Sequence, residues 1–215
     1  MIVADTVNGI LQAMANNTIS CPSCGVAIEN TTAHTRSMSC PHCSNWVYFG
    51  SNGWEVAGLF EHAIDAPSML QLGKSGDLSG RRFVVGGRVR LSYSEGFWDE
   101  WWLEFEDGDH QWLEEDDGVY RLHRDIDAAP SSDAVKAASI GGNVSIDGDS
   151  WFVSERVDAN VAGVEGSLPV AIVPGEEVVC VDVMGNGIKM SIESGDNDIQ
   201  VSRSKVVRGS KFKWD

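Results

Sequence analysis

"FVVGGRVRLSYSEGFWDEWWLEFEDGDHQWL", residues 83–113, alternates apolar and polar side chains along two runs separated by a short polar break. A period of two belongs to β-strands, whose successive side chains point to opposite faces. On the second run Trp101, Leu103 and Phe105 share one face, and Trp98, Glu100, Trp102 and Glu104 share the other. On the first, Phe83, Val85, Val89 and Leu91 fall together, opposite Arg82, Arg88 and Arg90. A three-residue loop, Ser94-Glu95-Gly96, with Gly96 at positive φ, is a common hairpin connection. It predicts Val89 opposite Trp101, Gly87 opposite Leu103 and Val85 opposite Phe105 on the inside, with Arg90 against Glu100 and Arg88 against Trp102 outside. Asp107-Gly108 predicts a two-residue turn of type I′, setting Trp112 across from Leu103. Trp101, Leu103, Phe105 and Trp112 are then core. The Trp98, Glu100, Trp102 and Glu104 face attracts cations, because aromatic faces and carboxylates both do. Arg88 and Arg90 could satisfy it internally, or it could stay open to a ligand or partner.

Strand-like patterning extends from about Gly76 to the C-terminus, with Gly- and Asp-rich turns roughly every ten residues. The fold class is therefore mainly β, a barrel or sandwich. "GDLSGRRFVV" (76–85) and "GNVSIDGDSWFV" (142–153) share a Gly, an apolar-Ser pair, a Gly turn and an aromatic-x-Val strand. This predicts a degenerate duplication giving two related small β-units, over residues 76–123 and 141–213. Between them, 124–140 reads as a linker with one helical turn. Residues 51–75 read as a helical linker, with a short helix around Val56 to Ile64 ending before Pro67. Residues 1–17 place Val3, Val7, Ile10, Leu11 and Met14 on one helical face, as a docking helix would.

Ahead of the β-units lie "CPSCG" and "CPHC". A CxxC turn presents two thiolates to one ion, and structural zinc takes four soft ligands in a tetrahedron. Cys21, Cys24, Cys40 and Cys43 supply that set at zinc-ribbon spacing, so residues 18–50 are expected to be a ribbon holding a structural Zn2+. Four thiolates close the shell and leave no position for a catalytic water. A module this small is expected to be a knob that folds on its metal and leaves the β-units independent of it. Cys180, in the alternating run "EEVVCVDVMG", reads as a buried, inert thiol.

Asp and Glu total 32 against 16 Lys and Arg, a formal net charge of -16 over 215 residues. Such a surface repels phosphate backbones and argues against nucleic-acid binding, despite the ribbon. It suits cationic partners. No run is long and apolar enough for a membrane span, and the N-terminus lacks a signal-peptide pattern. Paired CxxC knuckles without a leader imply a reducing, cytoplasmic setting.

Several segments together, "CPSCG", "CPHC", "LQLGKSGDLSGRRFVVGGRVRL", "FWDEWWLEFEDG", "WLEEDDGVYRL" and "VEGSLPVAIVPGEE", resemble the bacterial family known as domain of unknown function number 4178, here preceded by a zinc ribbon. The resemblance implies context rather than chemistry. Such proteins are similar to ones encoded beside membrane-stress coat proteins and spermidine-synthase-like enzymes. It implies a non-catalytic cytoplasmic adaptor, recruited to the inner membrane surface by a partner such as a coat protein. A polyamine or small-cation sensor is the alternative, using the acidic tryptophan face. An enzyme of polyamine metabolism is the third reading, with Asp99, Glu100, His110 and His123 as acid and base. It is the weakest, because Glu100 and His110 fall on opposite faces in the expected register and no phosphate loop or nucleophile elbow is present.

Overall fold

Strands separated by Gly turns build most of the described part of the chain, which was obtained as a computed structural model describing residues 18–29, 34–59, 67–128, 130–195 and 199–215. The docking helix expected in 1–17 lies outside these residues. The helix expected around Val56 to Ile64 is corrected at its start, because Val56 to Leu59 belong to a strand; the rest of it, from residue 60, lies outside.

The ribbon begins with a two-stranded hairpin, β1 (Thr18–Ser20) and β2 (Ala27–Glu29). A second sheet follows, of β3 (Ser37–Ser39), β4 (Asn45–Gly50) and β5 (Gly53–Leu59). Its small core is Ile28, Met38 and Val47 packed against Cys21 and Cys40.

The first half of the remainder runs through β6 (Ser75–Leu78), β7 (Arg81–Tyr93), β8 (Gly96–Phe105), β9 (His110–Asp116) and β10 (Val119–Asp125). A short helix, α1 (Ser132–Lys136), supplies the helical turn expected in the linker; Ser131 Oγ caps it by accepting the Ala134 N–H. Arg156 donates to the carbonyls of Val135, Lys136 and Ala138 at its far end. The second half runs through β11 (Asn143–Ile146), β12 (Asp149–Leu168), β13 (Glu177–Gly185), β14 (Ile188–Ser194) and β15 (Ile199–Val207), and β16 (Phe212–Trp214) ends the chain.

Both halves follow one plan. Each opens on a tight hairpin, Ser79-Gly80 between β6 and β7 and Asp147-Gly148 between β11 and β12, with both turn residues at positive φ as a type I′ turn requires. Each then lays down a four-stranded antiparallel meander. The halves do not stand apart. β10 pairs with β15 and β12 pairs with β7, so the eight strands close into one barrel in the order β7-β8-β9-β10-β15-β14-β13-β12. Closure removes the edges that either half alone would expose.

Each half covers its outer wall with its own apolar core. Phe83, Val85, Trp101, Leu103 and Leu113 pack outward against Leu70, Leu78 and Phe212. Trp151, Val153, Val181, Val183 and Ile192 pack outward against Val135 of α1 and Val144 and Ile146 of β11. The third core is different: Val89, Leu91, Trp102, Trp112, Ala159, Val161 and Val164 gather around Trp46 from the ribbon.

The ribbon is therefore no independent knob. The end of β12 pairs with β3, through Ser167–Met38 and Leu168–Ser37, so ribbon and barrel share one sheet. Trp46 donates its indole N–H to the Ile172 carbonyl at 2.8 Å, Ser37 Oγ donates to the Val170 carbonyl, and Thr35 and Ser167 hydroxyls meet at 2.9 Å.

The expected hairpin register is also corrected. Tyr93 faces Gly96 across a two-residue turn, and Gly86 is an extra residue in β7, so Val85 pairs with Leu103 and Gly87 with Trp102. Arg90 pairs with Asp99 and Arg88 with Trp101. At the next turn only Gly108 has positive φ, the loop is longer than a type I′ pair, and Trp112 lands opposite Trp102 instead of Leu103. A cross-strand slip of one residue moves every side chain to the other face. Here it puts the arginines on the side away from the Trp98, Glu100, Trp102 and Glu104 row.

Candidate functional site

Alternation along all eight barrel strands turns one set of side chains toward the barrel axis. Trp98 and Glu100 come from β8, Glu114 and Asp116 from β9, Arg121 and His123 from β10, Glu155 and Val157 from β12, Cys180 and Asp182 from β13, Lys189, Ser191 and Glu193 from β14. Tyr93 of β7 and Ser204 of β15 complete a cavity of about 180 Å³. Six carboxylates border it, against two formal cations, Arg121 and Lys189.

Both cations are engaged. Arg121 ion-pairs with Glu114, and Lys189 with Asp182 at 2.5 Å, where Ser191 Oγ also donates at 2.7 Å. His123 is held at both ring nitrogens, Nε2 at 2.9 Å from Glu114 and Nδ1 at 2.8 Å from the Ser202 hydroxyl. Burial pushes the Glu114 carboxyl up, but His123 and Arg121 outweigh it and hold the group below the usual glutamate range. Among the described residues Glu100 takes only the Trp98 indole N–H, at 2.9 Å, and burial raises its carboxyl despite that bond. Glu193 is half-buried, with part of its side chain bordering the cavity; burial first, then the Glu100 and Glu114 charges, push it well above the ordinary value. Among the described residues Glu100, Glu155 and Glu193 have no ion pair. The Tyr93 and Trp98 rings stand 5.7 Å apart at a tilt of 54° beside these carboxylates. The arrangement is a desolvated negative pocket with aromatic walls, able to hold a cation that brings its own hydrogen-bond donors.

The row Trp98, Glu100, Trp102 and Glu104, read from sequence as a partner or ligand surface, is therefore inside. Trp98 and Glu100 border the cavity, Trp102 is buried in the barrel's inner core at 6% exposure, and Glu104 is half-buried beside Gly86. Arg88 and Arg90 do not satisfy this row. They converge on the buried Asp99 on the outer face, at 2.6 Å and 2.8 Å. Of the residues considered as acid and base, Glu100 and His123 reach the cavity. Asp99 is committed to the arginines, and His110 lies between the rings of Trp102 and His34, with centroids 4.8 and 4.9 Å away. Cys180 borders the cavity as well; burial, reinforced by Glu193, pushes its thiol well above the usual value.

Glu114, Asp182 and Glu193 carry no sequence signal beyond polar alternation, which on an open sheet means solvent. Only closure of the barrel turns that alternation into a polar lumen.

In the ribbon, Cys21, Cys24, Cys40 and Cys43 bring their sulfurs within 4.8 Å of one another, with Cys21–Cys43 at 3.8 Å and Cys24–Cys40 at 3.9 Å. These separations are far too long for disulfides. They match the edge of a tetrahedron built on metal–sulfur bonds of about 2.3 Å, roughly 3.8 Å. The side-chain amide and backbone of Asn45 pull the Cys43 thiol down to about 6, favouring the thiolate. This donor set could hold one metal ion. Among the described residues no helix is long and apolar enough to cross a membrane.

The family described as Domain of unknown function (DUF4178) matches residues 71–209, which takes in the barrel and leaves the ribbon outside. No curated protein and no solved structure matches the chain.

Proposed function

Since the chain belongs to the DUF4178 family, whose description names no activity, its own residues have to carry the reading, and we propose that the barrel is a non-catalytic binding module that takes a small organic cation, a protonated amine of the polyamine kind or smaller, into its lumen. One observation carries this: six carboxylates and two aromatic rings border an inner cavity whose only formal cations are already ion-paired. A protonated amine would supply the counter-charge that lets the raised carboxyls of Glu100 and Glu193 ionise side by side. It would also gain about 0.5–2 kcal/mol from each aromatic face it meets.

Two details favour binding over turnover. Both ring nitrogens of His123 are engaged, and the Cys180 thiol is held in its neutral form. An adaptor role in a membrane-stress system, the context implied by the family resemblance, fits this module as a sensor whose state is read by a protein partner. The tryptophan row cannot be that partner's docking face, because it is turned into the barrel. We take the four-cysteine site to hold zinc, with a structural role in a reducing, cytoplasmic setting.

Titration of methylamine, n-butylamine and spermidine into the purified protein, followed by tryptophan fluorescence and calorimetry, tests the proposal. At least one amine should bind in the parent protein and lose its affinity in Glu100→Gln and Glu193→Gln. Absence of any binding at millimolar amine, or affinity untouched in both variants, sinks the reading.

A further inference from the structure

Below the acidic cavity lies a second one of about 120 Å³, and Glu100 and Glu193 border both. The walls of this lower chamber have another character. Val89, Leu91, Val161 and Val178 line it together with Trp112. The same residues belong to, or pack against, the inner apolar core that Trp46 closes. Its other polar members already have partners: Glu176 accepts the Val173 N–H, and Gln200 donates to Asp125 at 2.7 Å.

Resting on the amine reading above, we infer that the lumen selects an amphipathic monoamine, with its ammonium held between Glu100 and Glu193 and a short hydrocarbon chain lodged in the lower chamber. A second ammonium at the far end of that chain would have to give up its water among Val89, Leu91 and Val161. Burying a charge there is far costlier than burying a methyl group. The site therefore discriminates by what lies at the tail of the ligand and not by charge alone. Each methylene that enters the chamber should raise affinity about fourfold, the free energy of removing one CH2 from water, until the chamber is full.

The experiment is a matched series on the full chain: methylamine, ethylamine, n-propylamine and n-butylamine against 1,4-diaminobutane, with dissociation constants by calorimetry. Affinity should climb along the monoamines, and n-butylamine should bind more than about tenfold tighter than the diamine. In Val178→Phe, which fills part of the chamber, the ratio of butylamine to methylamine affinity should fall toward one. A flat monoamine series, or a diamine that binds as tightly as n-butylamine, overturns the chamber inference while leaving amine binding intact. If none of these amines binds, the amine reading and the inference fall together.

Discussion

Asp99 is the residue on which the outer face of the β7–β8 hairpin depends. It is 3% exposed and accepts from two arginines that are themselves buried, Arg88 and Arg90. Removing one partner of a buried ionic cluster leaves the other charges uncompensated. Asp99→Ala should therefore destabilise the protein by about 3–5 kcal/mol in urea unfolding, and Asp99→Asn by less, because the amide can still accept. Glu193 should behave in the opposite way. Its folded-state carboxyl is raised by burial and by neighbouring carboxylates, so the fold holds a proton that the unfolded chain releases. Stability from this group is intact below the ordinary glutamate value and declines as pH rises from there toward the raised value. Glu193→Gln should accordingly raise the thermal midpoint at neutral pH, with the gain shrinking toward zero near pH 4; a gain independent of pH would refute this assignment. The alternation of Trp98, Glu100, Trp102 and Glu104 was readable in the sequence. The fate of Arg88 and Arg90 was not. It turns on a one-residue difference in turn length and on Gly86 as a bulge, and several loop geometries suit "SYSEGF" equally well.

The ribbon and the barrel are joined by a strand pairing, by hydrogen bonds from Thr35 and Ser37, and by the large buried ring of Trp46. Trp46 is 1% exposed and sits among Val89, Leu91, Trp102 and Val161, residues of the barrel's inner core. Trp46→Ala should cost about 3–5 kcal/mol, read as a loss of barrel stability and not merely of the ribbon. By the same coupling, stripping the metal with a chelator, or Cys21→Ser, should lower the midpoint of a single calorimetric transition. Two resolved transitions, with the larger one unmoved, would restore the picture of an autonomous knob. The cysteine set was fully legible, because ligand spacing is a local property. The destination of Trp46 was not, since nothing in "NWVYFG" says which distant surface its indole will enter. The seam between β7 and β12 was likewise invisible. There Gly166 faces Gly87, and a Cβ on Gly166 would lie 2.4 Å from the Gly86 carbonyl oxygen. Gly166 also has a φ of +74°, where other L-residues are strained. Gly166→Val should open this seam and expose the inner core, measured as increased binding of a hydrophobic dye.

At the scale of the molecule, the duplicated pattern around residues 76–85 and 142–153 pointed to two β-units, and in the structure each stretch opens one four-stranded half of a single barrel. Their closure into one barrel depends on β10 meeting β15 and β7 meeting β12. Those contacts are specified by whole-strand complementarity rather than by any short motif, which is why polar residues of both halves read as solvent-facing. Residues 67–128 or 130–215 expressed alone should aggregate through unpaired edges. Co-expressed, they should assemble into a soluble complex with the spectrum of the intact chain. Independent folding of either half would contradict the shared barrel.

The closing seam also bears on how the chain reaches this state. Most neighbouring barrel strands are joined by tight turns and can zip locally within microseconds. The β10–β15 and β7–β12 pairings must instead bring together residues some seventy to ninety positions apart, as Arg88–Glu165 and Tyr120–Val207 show. Topologies dominated by such distant contacts fold in milliseconds to seconds. Until both pairings form there is no lumen, so the acidic side chains spend that interval in water, where their charges are well hydrated. Desolvation of Glu100 and Glu193 thus coincides with the last step of closure. The acidic interior should therefore slow refolding at neutral pH and release it in mild acid.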